Sequence, residues 1–229
     1  MSNFITNVAK FETEDGDKIL YPFSPPIFQT EVDSNFTKEL IVEGRKLTNE
    51  LGYDQNHRLA TRYDLSRTWH YKNDYLNKVE PYLKTYVERF FNSITHAMNT
   101  PDMVDSFLSI QEDRLKFRKG NIKLDNLFIN FNKKNDFNPP HTHTGVLSFV
   151  IFCKIPDGIF KDHNELNAMR EGELHFSYGD TITKLMKNTY PVRPYENCMY
   201  IFPNELRHYV PGYSYDAERI SVSGNFVVV

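Results

Sequence analysis

A pair of histidines is the first feature of the sequence that could bind a metal ion. His141 and His143 close the segment NPPHTH, residues 138–143. The two prolines favour an extended backbone, and residues i and i+2 of an extended segment project from the same face. Two imidazoles on one face supply half of a binding site for Fe, Zn, Cu or Ni. Because isolated HxH patterns are common, the pair needs further ligands before it indicates a metal site.

Two later features could complete such a site. An aromatic segment, Tyr200–Phe202, leads into a turn that presents His208. Farther on, the segment ERISVSGNF (residues 218–226) alternates polar and apolar residues, with Arg219 and Ser221 on the polar face. On an edge strand this polar face would simply be solvated. Inside a barrel, Arg219 would be a buried cation in need of an anion, and a ligand carboxylate held by the guanidinium and a hydroxyl would satisfy it.

The order of these features carries more information than any one of them. His208 follows His143 by 65 residues, Arg219 follows His208 by 11, and Ser221 stands two residues later. In this order they resemble the double-stranded β-helix oxygenases that use Fe(II) and 2-oxoglutarate. The stretches NPPHTHTGVLSFVIFCKIP, MYIFPNELRHYVPGY and ERISVSGNFVV resemble, more narrowly, a group of such oxygenases from microbes and marine phages. The resemblance covers about residues 125–229.

The resemblance implies a cofactor, a co-substrate and a reaction. Fe(II) would be held by His141, His143 and His208, and 2-oxoglutarate would be bound through its far carboxylate by Arg219 and Ser221. Asn130 is a further candidate for orienting 2-oxoglutarate or the substrate. With O2, such a protein would hydroxylate an unactivated C–H bond of a protein side chain or small metabolite and release succinate and CO2. The sequence does not name the primary substrate.

The third metal ligand departs from the superfamily pattern. Members of that superfamily carry Asp or Glu where this chain has His143, which would give two histidines and one carboxylate. Either His143 replaces the carboxylate, or a carboxylate such as Asp136 comes from elsewhere. We favour three histidines, because His141 and His143 share a strand face and Asp136 lies in an Asn-rich turn.

Two other functions are compatible with the same residues. A cupin-like dioxygenase with three histidine ligands would need no 2-oxoglutarate, but it leaves Arg219 and Ser221 without a role unless they bind an acidic substrate. A non-catalytic metal-binding module could use the same scaffold. Tyr209, Tyr213 and Tyr215 follow His208 in a loop, and we expect them at the rim of the substrate site.

The candidate residues lie in a half of the chain that reads as strands. From about residue 111 the hydrophobic pattern has a period of two, and turn-forming clusters containing Gly, Asn and Asp separate the segments. The predicted strands are Arg114–Arg118, Leu124–Asn132, Val146–Ile155, Gly172–Tyr178, Asn197–Pro203 and Arg219–Val229. Many short strands of this kind predict a sandwich or barrel, and the resemblance specifies a jelly-roll, cupin-like double-stranded β-helix.

The first hundred residues predict helices that pack on this sheet. One helix would be capped by Ser34 and end near Gly52, and a second would carry apolar residues at spacings of three and four from Leu76 to Met98. Pro81 would either begin the second helix or kink it. The fold class is therefore α+β. Residues 1–100 form an extended segment and helices, residues 101–229 form the catalytic core, and together they make one integrated domain. The helical layer is equally compatible with a dimer face.

Composition narrows the classes of partner. The 229 residues carry a net charge of −3 without a basic stripe, so we expect no nucleic-acid partner. The longest apolar stretch, residues 146–153, is far shorter than the about 20 residues of a membrane span. No basic-then-apolar segment follows Met1, and the chain contains two cysteines, which favours a cytoplasmic protein with free thiols.

Overall fold

Two antiparallel sheets form the body of the protein. The computed structural model describes residues 9–12, 15–21, 25–49, 68–98, 121–160, 171–179 and 188–229. The large sheet has eight strands in the order β1-β2-β3-β10-β7-β12-β5-β4, and the small sheet has four in the order β6-β11-β8-β9. From β5 to β12 the chain passes back and forth between the two sheets, which is the path of a double-stranded β-helix.

The elements have the following bounds. The strands before the core are β1 (Ala9–Glu12), β2 (Lys18–Tyr21), β3 (Ile27–Glu31) and β4 (Thr68–His70), and the helices are α1 (Ser34–Leu47) and α2 (Asn73–Met98). The core strands are β5 (Ile122–Asn132), β6 (Asn138–His141), β7 (Leu147–Lys154), β8 (Leu174–Ser177), β9 (Thr189–Val192), β10 (Cys198–Pro203), β11 (Arg207–Val210) and β12 (Arg219–Val228).

The two faces of the large sheet bury different layers. Ile220 and Val222 of β12 join a core with the apolar stripe of α2, which includes Leu83 and Phe90. The opposite face lies against the small sheet, where Phe152 and Phe176 belong to a second core. Alternation along β12 therefore turns Arg219, Ser221 and Ser223 toward the space between the sheets.

The predicted helices exist, with corrections at their ends. Asp33, not Ser34, caps α1, because its Oδ1 accepts hydrogen bonds from the backbone N–H groups of Asn35 and Phe36. The helix ends at Leu47, five residues before the predicted end, and Gly52 lies outside the described residues. Pro81 does not begin α2. It lies inside a helix that starts at Asn73.

The structure confirms the α+β class, the double-stranded β-helix core and the helical layer. Five predicted strands correspond to β5, β7, β8, β10 and β12, and the predicted strand Arg114–Arg118 lies outside the described residues. Strands β1 to β4, β6, β9 and β11 are not among the predicted strands, because three to five residues are too few to establish a period. No helix in the described ranges is long and apolar enough to cross a membrane.

Candidate metal centre and ligand cavity

Three histidines converge at one end of the small sheet. His141 is the last residue of β6 and pairs directly with His208 of the neighbouring strand β11. His143 lies just beyond β6 and folds back, so that its Nε2 is 3.2 Å from Nε2 of His208. One ring nitrogen from each of the three histidines lies within 4.8 Å of the others. The fold thus brings together residues that are 65 positions apart in the sequence.

Backbone carbonyls fix the orientation of two of the rings. Nδ1 of His141 lies 2.7 Å from the carbonyl oxygen of Pro139, and Nδ1 of His208 lies 3.0 Å from that of Leu206. A carbonyl only accepts, so each Nδ1 carries the proton and donates it. The lone pairs of both rings are then on Nε2, and that of His208 faces Nε2 of His143 at 3.2 Å, whereas that of His141 lies 3.5 Å from Nδ2 of Asn138. This arrangement is typical of histidines that bind metals.

Burial keeps the three imidazoles neutral. It lowers the pKa of His141, and it lowers the pKa of His143 to about 4, with His141 adding to the effect. His208 is the most buried of the three, and burial holds its pKa well below the ordinary value of 6.5. At neutral pH all three rings therefore offer a lone pair.

The donor set fits a divalent transition metal. Imidazole is a good ligand for Fe, Zn, Cu and Ni. Two imidazole nitrogens that bind one metal ion tetrahedrally, each about 2.0–2.1 Å from it, lie about 3.3–3.4 Å apart. The 3.2 Å between Nε2 of His143 and Nε2 of His208 is close to that spacing.

Arg219 lies fully inside the fold, and its hydrogen-bond acceptors among the described residues are neutral oxygens. The residue is 3% exposed, and its guanidinium carbon lies 5.8 Å from the centre of the Tyr213 ring. Nη1 donates to the carbonyl oxygen of Gly172 at 3.0 Å, and Nη2 donates to Oδ1 of Asn132 at 3.2 Å. Nε is buried and has no hydrogen-bond partner in the described part of the chain. Burial lowers the pKa of Arg219, and the charges of Tyr213 and Asp136 oppose that shift.

Polar residues that could donate hydrogen bonds lie next to Arg219 on β5 and β12. Asn132 pairs with Arg219, and two residues farther along the strands Asn130 pairs with Ser221. Oδ1 of Asn132 accepts from Arg219, and Oδ1 of Asn130 accepts from Oγ1 of Thr68 at 2.6 Å. Within the described residues, the NH2 groups of both asparagines have no acceptor and are left as donors.

A cavity of about 330 Å³ connects the arginine to the histidines. Its volume lies at the lower end of the range for small-molecule sites. The polar residues that line it include all six predicted site residues, His141, His143, His208, Arg219, Ser221 and Asn130, and also Asn132, Asn138, Thr68 and Ser223. Apolar residues, among them Phe128, Phe152, Leu174 and Phe202, form the rest of the wall.

The alternative ligand Asp136 lies outside the histidine cluster. The group of mutually close His, Cys, Asp or Glu side chains here consists of the three histidines, within the residues that the structure describes. Asp136 is 1% exposed, and its Oδ2 accepts from the backbone N–H of Lys133 at 2.8 Å. Its charge acts on Arg219 rather than on the metal-binding end of the cavity.

The prediction for Tyr213 at the substrate rim is wrong. Tyr213 is 1% exposed, and its hydroxyl contacts the carbonyl oxygens of Asn132 and Ala217 at 2.7 and 2.9 Å. The same oxygen accepts from the backbone N–H of Arg219 at 3.3 Å. Tyr213 thus holds the backbones of Arg219 and Asn132 in place. Tyr215 is exposed, and the ring of Tyr209 packs on His175.

Sequence reasoning missed Asn132 as a site residue. Asn132 stands two residues after Asn130 on β5, so both side chains project from the same face of the strand, and this spacing could have identified it. What the sequence could not supply was the pairing of β5 with β12, which places Asn132 opposite Arg219.

Comparison with known proteins gives a family and a set of similar folds. Residues 126–225 match the family described as Putative 2OG-Fe(II) oxygenase. One similar solved structure is a Pseudomonas putida prolyl-4-hydroxylase, with 14% identity, 89% of this chain and 92% of that chain covered, and a TM-score of 0.48. Another is a viral collagen prolyl hydroxylase from Paramecium bursaria Chlorella virus-1, in complex with 2-oxoglutarate, with 10% identity, 89% of this chain and 96% of that chain covered, and a TM-score of 0.48. A third is a Trichoplax adhaerens prolyl hydroxylase in complex with a hypoxia-inducible-factor peptide, with 10% identity, 88% of this chain and 83% of that chain covered, and a TM-score of 0.49.

No curated protein matches the chain. The family match confirms the resemblance drawn from the motifs. The matched stretch contains the three clustered histidines together with Asn130, Asn132, Arg219 and Ser221.

Proposed function

We propose that this chain, which matches the 2OG-Fe(II) oxygenase family over residues 126–225, hydroxylates an unactivated C–H bond of a protein side chain or a small metabolite. The observation that carries the proposal is the cavity that joins three neutral imidazoles to a buried arginine. The imidazole end fits Fe(II), and the arginine end fits the far carboxylate of 2-oxoglutarate.

The arginine end favours a ligand that accepts hydrogen bonds and carries negative charge. Arg219 Nε, the NH2 groups of Asn130 and Asn132, and the hydroxyl of Ser221 are all available donors. A carboxylate accepts several hydrogen bonds and donates none. It would also compensate the charge of Arg219, whose own contacts are two neutral oxygens.

Each group of residues has a distinct part in the reaction. When bound, Fe(II) and 2-oxoglutarate supply the oxidation: 2-oxoglutarate and O2 become succinate and CO2, and one oxygen atom enters the substrate as a hydroxyl group. His141, His143 and His208 would hold the metal through Nε2, with two rings kept in place by their carbonyl contacts. Arg219 and Ser221 would hold the far carboxylate. The apolar wall around Phe152 and Phe202 limits the access of water.

We assign the third metal ligand to His143 rather than to Asp136. His143 Nε2 lies 3.2 Å from His208 Nε2, whereas Asp136 is engaged with the turn at Lys133. Three neutral ligands leave the metal its full charge of +2. The near carboxylate of 2-oxoglutarate would offset one of these charges, while the far carboxylate compensates Arg219.

The second candidate is a three-histidine dioxygenase that uses no 2-oxoglutarate. The absence of a carboxylate from the histidine cluster, within the described residues, is the observation that favours it. In that case Arg219 would bind an acidic substrate directly. Saturable binding of 2-oxoglutarate to the iron-loaded protein would decide for the first candidate.

Turnover of 2-oxoglutarate tests the proposal. With Fe(II), O2 and 2-oxoglutarate, the wild-type protein should form succinate and CO2 slowly without substrate and faster when a substrate is found in a panel of peptides and metabolites. His208→Ala should abolish both rates. His175→Ala is the matched control, because it truncates a buried histidine that does not line the cavity. Succinate formation by His208→Ala at the wild-type rate would refute the proposal.

The organisation and location of the protein are further parts of the proposal. We infer one integrated domain over residues 1–100 and 101–229, supported by the large sheet, in which β1 to β4 pair with each other and with core strands. We also infer a cytoplasmic location, supported by the free thiols of Cys153 and Cys198.

A further inference from the structure

Asn204 holds the backbone on both sides of His143. It lies in the turn between β10 and β11 and is 7% exposed. Its carbonyl oxygen accepts from the backbone N–H of His143 at 2.9 Å, and its side-chain Nδ2 donates to the backbone carbonyl oxygen of His143 at 2.8 Å. Its own N–H donates to the carbonyl oxygen of Val146 at 3.2 Å.

His143 needs such support more than the other two histidines do. His141 and His208 belong to paired strands, and each ring is also tied to a carbonyl through Nδ1. His143 lies after the end of β6, in the segment that leads to β7. The two hydrogen bonds to Asn204 are the backbone contacts that fix it.

The same turn positions two ligands at once. Asn204 stands four residues before His208, so the turn that binds the backbone of His143 leads directly into β11. A shift of this turn would move both ligands, and the loss of the amide alone would free the carbonyl group of His143 while its N–H stays bound to Asn204. Because ligands must be held within about 0.5 Å of their working geometry, this link bears directly on metal affinity.

We propose that Asn204 is the positioning residue that fixes His143 as the third metal ligand. The inference rests on the proposed function, since it requires the histidine cluster to bind Fe(II). Asn204 acts through the peptide groups of His143 and does not touch the metal. Partners of this kind typically change metal affinity about 10- to 100-fold when they are removed.

Two measurements test the proposal. The first is the Fe(II) affinity under anaerobic conditions, measured by competition with a chelator, and the second is the melting temperature of the metal-free protein. Asn204→Ala removes the Nδ2 donor and keeps the backbone contacts, so we expect Fe(II) binding to weaken about 10- to 100-fold. Asn204→Asp keeps the shape but places an acceptor against a carbonyl oxygen, so it should weaken binding at least as much. Asn204→Ser keeps a hydroxyl donor in a smaller side chain, covers the case in which the Ala variant folds poorly, and should weaken binding less than Asn204→Ala.

Ser148→Ala is the matched control. Its Oγ donates to Oδ1 of Asn225 at 2.7 Å in a buried hydrogen bond, and neither residue is among those that line the cavity. It should lower the melting temperature without changing Fe(II) affinity. If Asn204→Ala behaves like Ser148→Ala, Asn204 is merely structural and the proposal is overturned.

A double-mutant cycle separates failure of this inference from failure of the proposed function. If Asn204 acts through His143, Asn204→Ala should have no further effect on Fe(II) affinity in a His143→Ala background. An equal effect in both backgrounds overturns the inference and leaves the proposed function intact. Full Fe(II) affinity in His208→Ala would overturn the proposed function, and the inference with it.

Discussion

Replacing Arg219 by methionine should abolish most of the affinity for 2-oxoglutarate while leaving Fe(II) binding intact. The side chain is 3% exposed and donates to two neutral oxygens, which leaves its charge and its Nε for a ligand carboxylate. Removing one partner of a buried, hydrogen-bonded charge pair costs about 2–5 kcal/mol. At about 1.4 kcal/mol per factor of ten, the Kd for 2-oxoglutarate should increase by a factor between about 30 and several thousand.

Thermal unfolding under anaerobic conditions with saturating Fe(II) measures this loss. At a 2-oxoglutarate concentration 100 times its Kd, the wild-type protein should gain about 2.7 kcal/mol of stability. For a chain of this size that corresponds to a rise in melting temperature of about 5–11 °C. If Arg219→Met raises the Kd about 100-fold, the same concentration stabilises by about 0.4 kcal/mol, a shift of about 1–2 °C.

Two further variants make the result specific. Arg219→Lys keeps the charge but loses the fork of donors, so its affinity should fall between those of the wild type and Arg219→Met. Arg193→Met removes an arginine that is 55% exposed and lies 3.6 Å from Glu173, and the 2-oxoglutarate shift should stay at the wild-type value. A wild-type shift in Arg219→Met would refute the assignment of Arg219 as the carboxylate partner.

Two other perturbations have expected outcomes. Tyr213→Phe removes the buried hydroxyl that contacts two carbonyl oxygens and the backbone of Arg219. The free energy of unfolding, measured with denaturant, should therefore fall by about 1–3 kcal/mol. Tyr215 is exposed, and Tyr215→Phe should change that free energy by less than about 0.5 kcal/mol. Burial raises the pKa of Cys153 and of Cys198 from 9.0 to about 12, so both thiols should react with a thiol reagent at pH 8 only as fast as the protein opens. Because the unfolded thiols lose their protons first, stability should decrease as the pH rises from 9 to 12, and pH-dependent unfolding curves would check this sign.

The site residues that could be predicted from the sequence are those whose spacing along a strand places them on one face. Period-two alternation along β12 placed Arg219 and Ser221 on one face, and the fold turns that face inward. The HxH spacing placed His141 and His143 on one side of an extended segment, and their ring centroids lie 4.9 Å apart. Such relations depend on neighbours in the sequence and on strand geometry, so they can be read without knowing the fold.

The contacts that sequence reasoning missed join residues far apart in the chain. Asn132 meets Arg219 across 87 positions, and Asn204 meets His143 across 61. Neither asparagine belongs to a motif, and each has its role only because particular strands or turns lie side by side. Tyr213 was misplaced for the same reason, since a loop position favours exposure and only the tertiary contacts of its hydroxyl bury it.

The central claim is that the histidine cluster binds Fe(II) and that 2-oxoglutarate binds on that iron. The most direct measurement adds Fe(II) and then 2-oxoglutarate to metal-free protein under anaerobic conditions and follows the visible absorption spectrum. A charge-transfer band should appear only after both additions, and it should be lost in His208→Ala. Iron binding without a band would contradict the role of 2-oxoglutarate and favour the three-histidine dioxygenase. Failure to bind iron would contradict the metal centre itself.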